Sequence, residues 1–543
     1  MITIDTVQNI ADILVIGTGW TGSIIVDHFV RQGLKVHVLE MGADKLYSPG
    51  SFLNGWVERA EMREEQGHYV TRNNWHNAVL YDDLVTIENK QPHWRFNYNM
   101  KRGYGGSGAV WSGRCWRMLP DDFITASRFN YGQDWPIRYA DLVPYYEVFE
   151  QRFGVGGPMH TPDWPWKNSF VYPSFKQSYL DQIIAKAVAP HFTLVPTANA
   201  IKNIPGDGGC LGFDTCVQHC PTNALYRPYL HLIEPHRKRE NLFFTFNAVV
   251  NCLEAGSDGD IRAVGYIDKQ SKEQKFVSGK KVFLCGNTIE NLRILLNSKN
   301  VFGTEICNTS GLLGRKFASH GAVVFDIETT EPLYVGRGRS TTSAAINTAV
   351  HRSQAVNSYM LEVFNFDWGV GKSCDTQLLS LRKKESSWGR KLFERAPLLN
   401  HRTKLSVIFE IEMRNENRVS LSSMTDEYGI PYALVDFKLG GRDIATYNAI
   451  RETQTAIKTS SLVAKIDKVG HGLNGNHPMG GYCMGKDPDT SVVNEFSRSH
   501  DFSNLYILGG GAFSSTSCFN PTQTIAALAL KCLDDPLLRA NNV

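Results

Sequence analysis

Apolar and polar positions are patterned most legibly at the two ends of the chain. "ADILVIGTGWTGSIIVDHFVRQGLKVHVLEMG", beginning at Ala11, reads as strand, glycine turn, helix and second strand, all within the roughly thirty residues of a βαβ unit. "NLYILGGGAFSSTSCFNPTQTIAALALKCLDD", from Asn504, runs strand, glycine turn, loop and amphipathic helix. That helix is predicted to start at Pro521 with Asn520 as its N-cap. Between the ends, the stretch from residue 330 to 465 is richer in Ser, Thr and aromatics. It holds the strand-like "LSVIFEIEM" and "ALVDFKL" and no Rossmann pattern.

The N-terminal glycines have the spacing G-x-G-x-x-G. Gly17 makes the tight turn, Gly19 lets a pyrophosphate approach the backbone, and Gly22 lets the helix pack on the strand with its N-terminus facing the negative charge. Glu40 closes the second strand, where an acidic side chain accepts hydrogen bonds from a ribose hydroxyl. That disfavours a 2′-phosphate and leaves FAD and NAD. The C-terminal helix aims its dipole at whatever precedes it, and reduced flavin is anionic near N1, a need nicotinamide does not share. The pair of turns therefore favours FAD.

Length and composition narrow the alternatives. A chain of 543 residues is too long for one compact core. With 42% hydrophobic and 20% charged residues it has the composition of a globular enzyme. The net charge of +3 comes without a run of five like charges, which argues against nucleic acid as a partner. No apolar run approaches the roughly 18 to 20 residues of a membrane helix. The N-terminus shows no basic n-region, twin arginine or cleavage site, so the chain is expected to carry no export signal of its own.

Eleven cysteines are too sparse for a disulfide scaffold, and Cys285 in "KVFLCGN" reads as a small core residue. Only Cys210, Cys216 and Cys220 cluster, spaced C-x5-C-x3-C-P. The closing C-x3-C-P is that of bacterial ferredoxin loops. Three thiolates can hold a 3Fe-4S cluster, whereas a four-iron cluster needs a fourth ligand that this segment lacks. A zinc site drawing on His219 is strained by its adjacency to Cys220, and a disulfide leaves one thiol over. A one-electron relay beside a two-electron flavin would serve a haem acceptor. No C-x-x-C-H motif occurs, so that haem would belong to another polypeptide.

With "GYGGSGAVWSGRCWRMLPDDF" at Gly103 to Phe123 and "NHPMGGYCMG" at Asn476 to Gly485, the two ends resemble the glucose-methanol-choline (GMC) flavoprotein oxidoreductases. Within that group, "DWPIRYADLVPYYEVFE", "CVQHCPTNALY" and "MGKDPDTSVVNEFSRSHDFSNLYIL" are similar to the large subunits of bacterial membrane-bound dehydrogenases for gluconate, 2-ketogluconate, sorbitol, fructose or glucose. The resemblance implies an α/β fold class, a Rossmann-type FAD-binding domain with a second α+β substrate domain. Residues 1–130, 240–329 and 466–543 are expected to form the FAD domain, 131–239 an insertion bearing the cysteine loop, and 330–465 the substrate domain.

The resemblance also matches His477 to the family's catalytic histidine and Asn520 to its partner. A histidine titrating near neutrality suits removal of a hydroxyl proton as hydride leaves. His320 and His471 are competing candidates, assigned to structural roles, with His320 orienting backbone near the cofactor. Gly105, Gly106, Ser107, Gly510 and Thr522 are expected to contact FAD alongside Gly17, Gly19, Gly22 and Glu40, and a 3Fe-4S cluster is implied on Cys210, Cys216 and Cys220. One departure concerns the flavin pocket: Ala109 and Val110 stand before Trp111 where the relatives carry bulky aromatics. The implied partners are a multihaem cytochrome c subunit and a small signal-bearing subunit. They would place the complex at the periplasmic face of the bacterial inner membrane, with membrane association through the partner only. The rival readings are an oxidase using oxygen and a non-catalytic electron-transfer subunit.

Overall fold

The structure is a computed structural model. It describes residues 11–44 and 87–539 except 97, 99, 159–168, 190, 205–207, 213–215, 217–219, 221, 257–258, 300–302, 304, 337–338, 340–341, 347–351, 366–380 and 383–385.

Short apolar runs set the first sheet. Five parallel strands lie in the order Leu505–Ile507, Gly279–Leu284, Ala11–Ile16, Val36–Leu39 and Leu242–Thr245. Strand residues alternate between two cores, as side chains on a pleat must. Ile13, Val15 and Phe283 join a core with Ile24 and Phe29 of the helix Trp20–Arg31 and Ala526 and Ala529 of the helix Thr522–Cys532. Leu14, Ile16 and Leu284 face the other core, with Leu292 and Leu295 of the helix Thr288–Asn297. This bears out the α/β expectation. The carboxyl ends of three adjacent strands run into Gly17, Gly286 and Gly509, the edge of a parallel sheet where ligands bind.

A second sheet is wholly antiparallel. Its six strands lie in the order Val463–Leu473, Gly321–Thr329, Arg402–Phe409, Tyr359–Val363, Ser343–Ile346 and Thr193–Pro196. "LSVIFEIEM" contributes to the strand Arg402–Phe409 of this sheet, and "ALVDFKL" to the strand Pro431–Asp436 of a separate three-stranded sheet. Gly321–Thr329 and Thr193–Pro196 come from segments outside residues 330–465, so this sheet is gathered from three parts of the chain.

The C-terminal helix differs from the expected register. It begins at Thr522, Pro521 occupies the N-cap position, and no side chain caps it. Asn520 is not the cap, because its amide is drawn to other partners.

Candidate active site

A cavity of about 430 Å³ opens at the carboxyl ends of the parallel strands. Of the expected cofactor residues, Gly17, Gly19, Glu40, Gly106, Ser107, Gly510 and Thr522 line it. Gly22 and Gly105 do not, and their contribution lies behind the wall. A Cβ on Gly22 would fall 2.0 Å from the Gly17 carbonyl oxygen, and one on Gly105 would fall 2.5 Å from the Tyr229 ring. At Gly19, by contrast, a Cβ would meet no protein atom within 4 Å. The helix behind it has neither a side-chain cap nor an acidic residue in its first turn, so its first N–H groups are left for an anion.

Glu40 is buried beside this turn, and burial pushes its carboxyl above the ordinary range. It accepts from the Thr18 backbone N–H at 3.2 Å, from the Thr18 hydroxyl, and from the Gly42 N–H at 2.7 Å. The glutamate therefore ties the turn together, and of the four acceptor positions on a carboxylate one remains for a ribose. These residues fit an FAD: a cradle open at Gly19, an uncapped helix end and an acid beside it.

His477 and Asn520 both line the cavity. The Asn520 Nδ2 stands 3.3 Å from Glu362 Oε1, to which it donates, and 3.4 Å from His477 Nε2. An amide N–H can only donate, so Nε2 is the acceptor and the imidazole proton resides on Nδ1. That Nδ1 lies 2.9 Å from the Nδ1 of His320, which accepts its hydrogen bond. Burial, His320 and the Arg114 guanidinium together hold His477 well below the ordinary histidine range. Burial takes His320 to about 4. The Asn520 Oδ1 has no hydrogen-bond partner among the described residues.

Sequence reading missed two members of this site. Glu362, in the strand Tyr359–Val363, pairs with Arg114, whose Nη2 also donates to the Val363 carbonyl at 2.9 Å. A glutamate inside the otherwise apolar "YMLEVF" was the available signal. His320, assigned to a backbone-orienting role, meets the His477 ring directly. His471 is exposed and stacks near Trp94, its ring centroid 4.8 Å away, outside the cavity lining. Val110 and Trp111 line the cavity, whereas Ala109 is buried behind it.

Cys210, Cys216 and Cys220 gather in a small separate cluster with Phe175, Ile201, Ala224 and Leu225. None of the three is in a disulfide. The Leu225 N–H points at the Cys220 sulfur at 3.4 Å. His219 lies outside the described residues, and among the described residues no three His, Cys, Asp or Glu side chains are arranged to hold a metal ion. The three cysteines share one apolar cluster, Cys220 within it and Cys210 and Cys216 against it, but as placed they do not form a metal-binding set. Trp111 joins the two places: it lines the cavity, packs against the cysteine cluster, and donates its Nε1–H to the Tyr226 carbonyl at 2.8 Å.

This fold is that of the GMC oxidoreductases, and residues 414–529 match that family, whose members bind FAD. The resemblance drawn from the motifs is borne out. In sequence the chain is similar to the fructose dehydrogenase large subunit of Gluconobacter japonicus, with 27% identity over 96% of this chain and 97% of that one. It is 24% identical to the gluconate 2-dehydrogenase flavoprotein of Pantoea cypripedii, over 95% of this chain and 92% of that one. It is 25% identical to the paromamine 6'-oxidase of Streptomyces fradiae, over 96% and 90%. Among solved structures, pyridoxine 4-oxidase from Mesorbium loti superposes with a TM-score of 0.65 at 16% identity, covering 96% of this chain and 98% of that one.

Proposed function

We propose that this chain is the FAD-binding subunit of a dehydrogenase that oxidises a hydroxyl of a sugar, polyol or sugar acid, and that electrons leave it singly for a cytochrome c subunit and quinone. The observation that carries the reading is the His477–Asn520 pair: an unprotonated ring nitrogen beside an amide, on the wall of a cavity whose other walls are the two dinucleotide turns. A substrate hydroxyl between them donates its proton to His477 Nε2 and accepts from Asn520 Nδ2. Glu362 offsets the charge of Arg114 close by, so the site tolerates the imidazolium that forms.

Gly17, Gly19, Glu40, Gly106, Ser107, Gly510 and Thr522 would hold FAD, with Gly22 and Gly105 shaping the wall. Cys210, Cys216 and Cys220 would hold a 3Fe-4S cluster. When bound, FAD supplies the hydride acceptor and the cluster supplies single-electron transfer. Trp111, shared by the cavity and the cysteine cluster, supports the relay. The FAD domain would combine residues 1–130, 240–329 and 466–543, with the insertion at 131–239 and the substrate domain at 330–465. The chain would work at the periplasmic face through cytochrome and signal-bearing subunits; a relative described as a large subunit supports assembly with other subunits. Among the described residues no helix is long and apolar enough to cross a membrane.

Low-temperature EPR with iron analysis on anaerobically purified protein tests the relay. The expected result is an oxidised three-iron signal with about three irons per chain. Sugars and sugar acids should bleach the flavin, and His477→Ala should slow that bleaching by at least about a hundredfold while leaving the iron signal intact. Cys220→Ser should leave bleaching intact and stop cytochrome reduction. An iron-free chain that consumes oxygen and yields peroxide stoichiometrically would be an oxidase instead.

A further inference from the structure

Glu362 lines the cavity together with Arg114, Phe364, His477 and Asn520, and it is a buried residue of the strand Tyr359–Val363. Its two oxygens are used unequally. Oε1 accepts from Arg114 Nη1 and, at 3.3 Å, from Asn520 Nδ2. No donor among the described residues reaches Oε2. A carboxylate oxygen withdrawn from bulk water and left without a donor is costly, so this one calls for a donor from whatever fills the cavity. Asn520 Nδ2 also stands 3.4 Å from His477 Nε2. One nitrogen thus touches both the carboxylate and the base, so a hydroxyl at His477 and a second donor at Glu362 fit on one small molecule. The neighbouring cation decides what kind of donor. Arg114 is held by Glu362, by the Val363 carbonyl at 2.9 Å and by the Phe364 ring, whose centroid lies 4.7 Å from the guanidinium carbon. Its charge is answered within the wall, and the pair as a whole is neutral. A substrate carboxylate would be repelled by Oε2, and an ammonium by the guanidinium. A hydroxyl carries neither penalty, and its hydrogen bond to an ionised acceptor is of the stronger kind.

We propose that Glu362 selects the substrate: its Oε2 accepts a hydrogen bond from a second hydroxyl, so the site takes neutral sugars and polyols in preference to sugar acids, amino sugars and simple alcohols. The inference rests on the reading that His477 and Asn520 oxidise a hydroxyl, and it narrows that reading. Asn520 donates one N–H to Glu362 and has a second for the reacting oxygen. The carboxylate therefore fixes where the second hydroxyl lies relative to the first. A molecule without that hydroxyl leaves Oε2 unpaired, and a site built to bond a hydroxyl rejects such an analogue more strongly than an apolar pocket rejects a change of size.

The experiment follows anaerobic flavin bleaching by stopped flow in the FAD-loaded protein, wild type and Glu362→Gln, and reads the rate constant divided by the dissociation constant for each probe. The probes are D-fructose, D-glucose, D-sorbitol, D-gluconate, D-glucosamine and cyclohexanol, then the monodeoxy analogues of the fastest neutral one. In wild type a neutral probe should exceed gluconate, glucosamine and cyclohexanol by at least about tenfold, and one monodeoxy analogue should fall about tenfold to a hundredfold below its parent. In Glu362→Gln the parent should lose about that factor while the analogue changes by less than about threefold. Gluconate should gain, because Arg114 is then unanswered. Three results overturn the proposal and leave hydroxyl oxidation standing: gluconate or glucosamine ahead of every neutral probe in wild type, monodeoxy analogues all equal to their parent, or parent and analogue losing equally in the Gln variant, which would mean that Glu362 only holds Asn520. A flavin that no probe bleaches overturns both readings. Should the Gln variant not hold FAD, Glu362→Asp, which keeps the charge opposite Arg114 and withdraws the oxygens by one methylene, supplies the same comparison.

Discussion

His477 is proposed to work as a neutral imidazole, and its neighbours keep it so. His320 contacts it directly, Arg114 acts on it through its charge, and Glu362 reaches it only through Asn520 and Arg114. A solvated histidine is half-protonated near about pH 6.5. One held lower remains a base in more acidic solution. The rate of anaerobic flavin reduction at saturating substrate should therefore stay level from about pH 8 to about pH 6 and fall only in stronger acid. A half-drop near about pH 6.5 would show a solvated, unperturbed base. The same shifts act on stability. His320 and His477 bind protons more weakly folded than unfolded, so the unfolded chain takes up more protons as pH falls below about 6.5, and acid destabilises the fold. His477 and Asn520 were legible in sequence because each sits in a glycine-rich motif. Glu362 and Arg114 were not, because they meet across 248 residues and only the sheet brings them together.

At the scale of elements, the first glycine turn separates what holds the fold from what holds the cofactor. Gly19→Ala adds a methyl to open space, so the apoprotein should melt as wild type does. That space is where the proposed FAD would bring its pyrophosphate to the helix N-terminus, so FAD affinity should drop by about tenfold or more, some 1.4 kcal/mol. Gly22→Ala instead drives a Cβ into the Gly17 carbonyl and should cost about 1–3 kcal/mol of stability as well as FAD. Flavin absorbance relative to protein and apoprotein melting curves read the two effects apart. Unchanged FAD affinity in Gly19→Ala would remove the pyrophosphate from this turn. The turn was readable because its signal is local: strand, glycines and helix lie within one βαβ unit. The six-stranded sheet was not, since Thr193–Pro196 pairs with Ser343–Ile346 and nothing in either short run announces the other. The one-residue shift at the last helix has a chemical cause, because Asn520 meets His477 and Glu362 rather than the helix N–H groups.

At the scale of the whole molecule, the six-stranded antiparallel sheet and the loop that leads to Asn520 are joined by buried charge. Arg352 meets Asp122 at 2.6 Å and Glu410 at 2.6 Å, and Tyr131 donates to Glu410 at 2.6 Å. Glu410 directly follows the strand Arg402–Phe409. The Asp122 carbonyl accepts from Ser515, in the loop that leads to Asn520. Such a network persists because each charge is paired. Removing the cation strands two carboxylates out of water, at a cost of about 3–5 kcal/mol. Arg352→Met, close in volume and uncharged, should therefore lower the melting temperature by several degrees. Burial already pushes the Asp122 carboxyl above its ordinary range, so protonation relieves the stranded pair readily. The deficit relative to wild type should accordingly be larger at about pH 8 than at about pH 5, and Glu410→Gln added to Arg352→Met should recover part of it at the higher pH. A deficit equal at both pH values, and untouched by the second substitution, would mean that Arg352 joins the two halves of the molecule by packing on Phe129 and its neighbours rather than by charge.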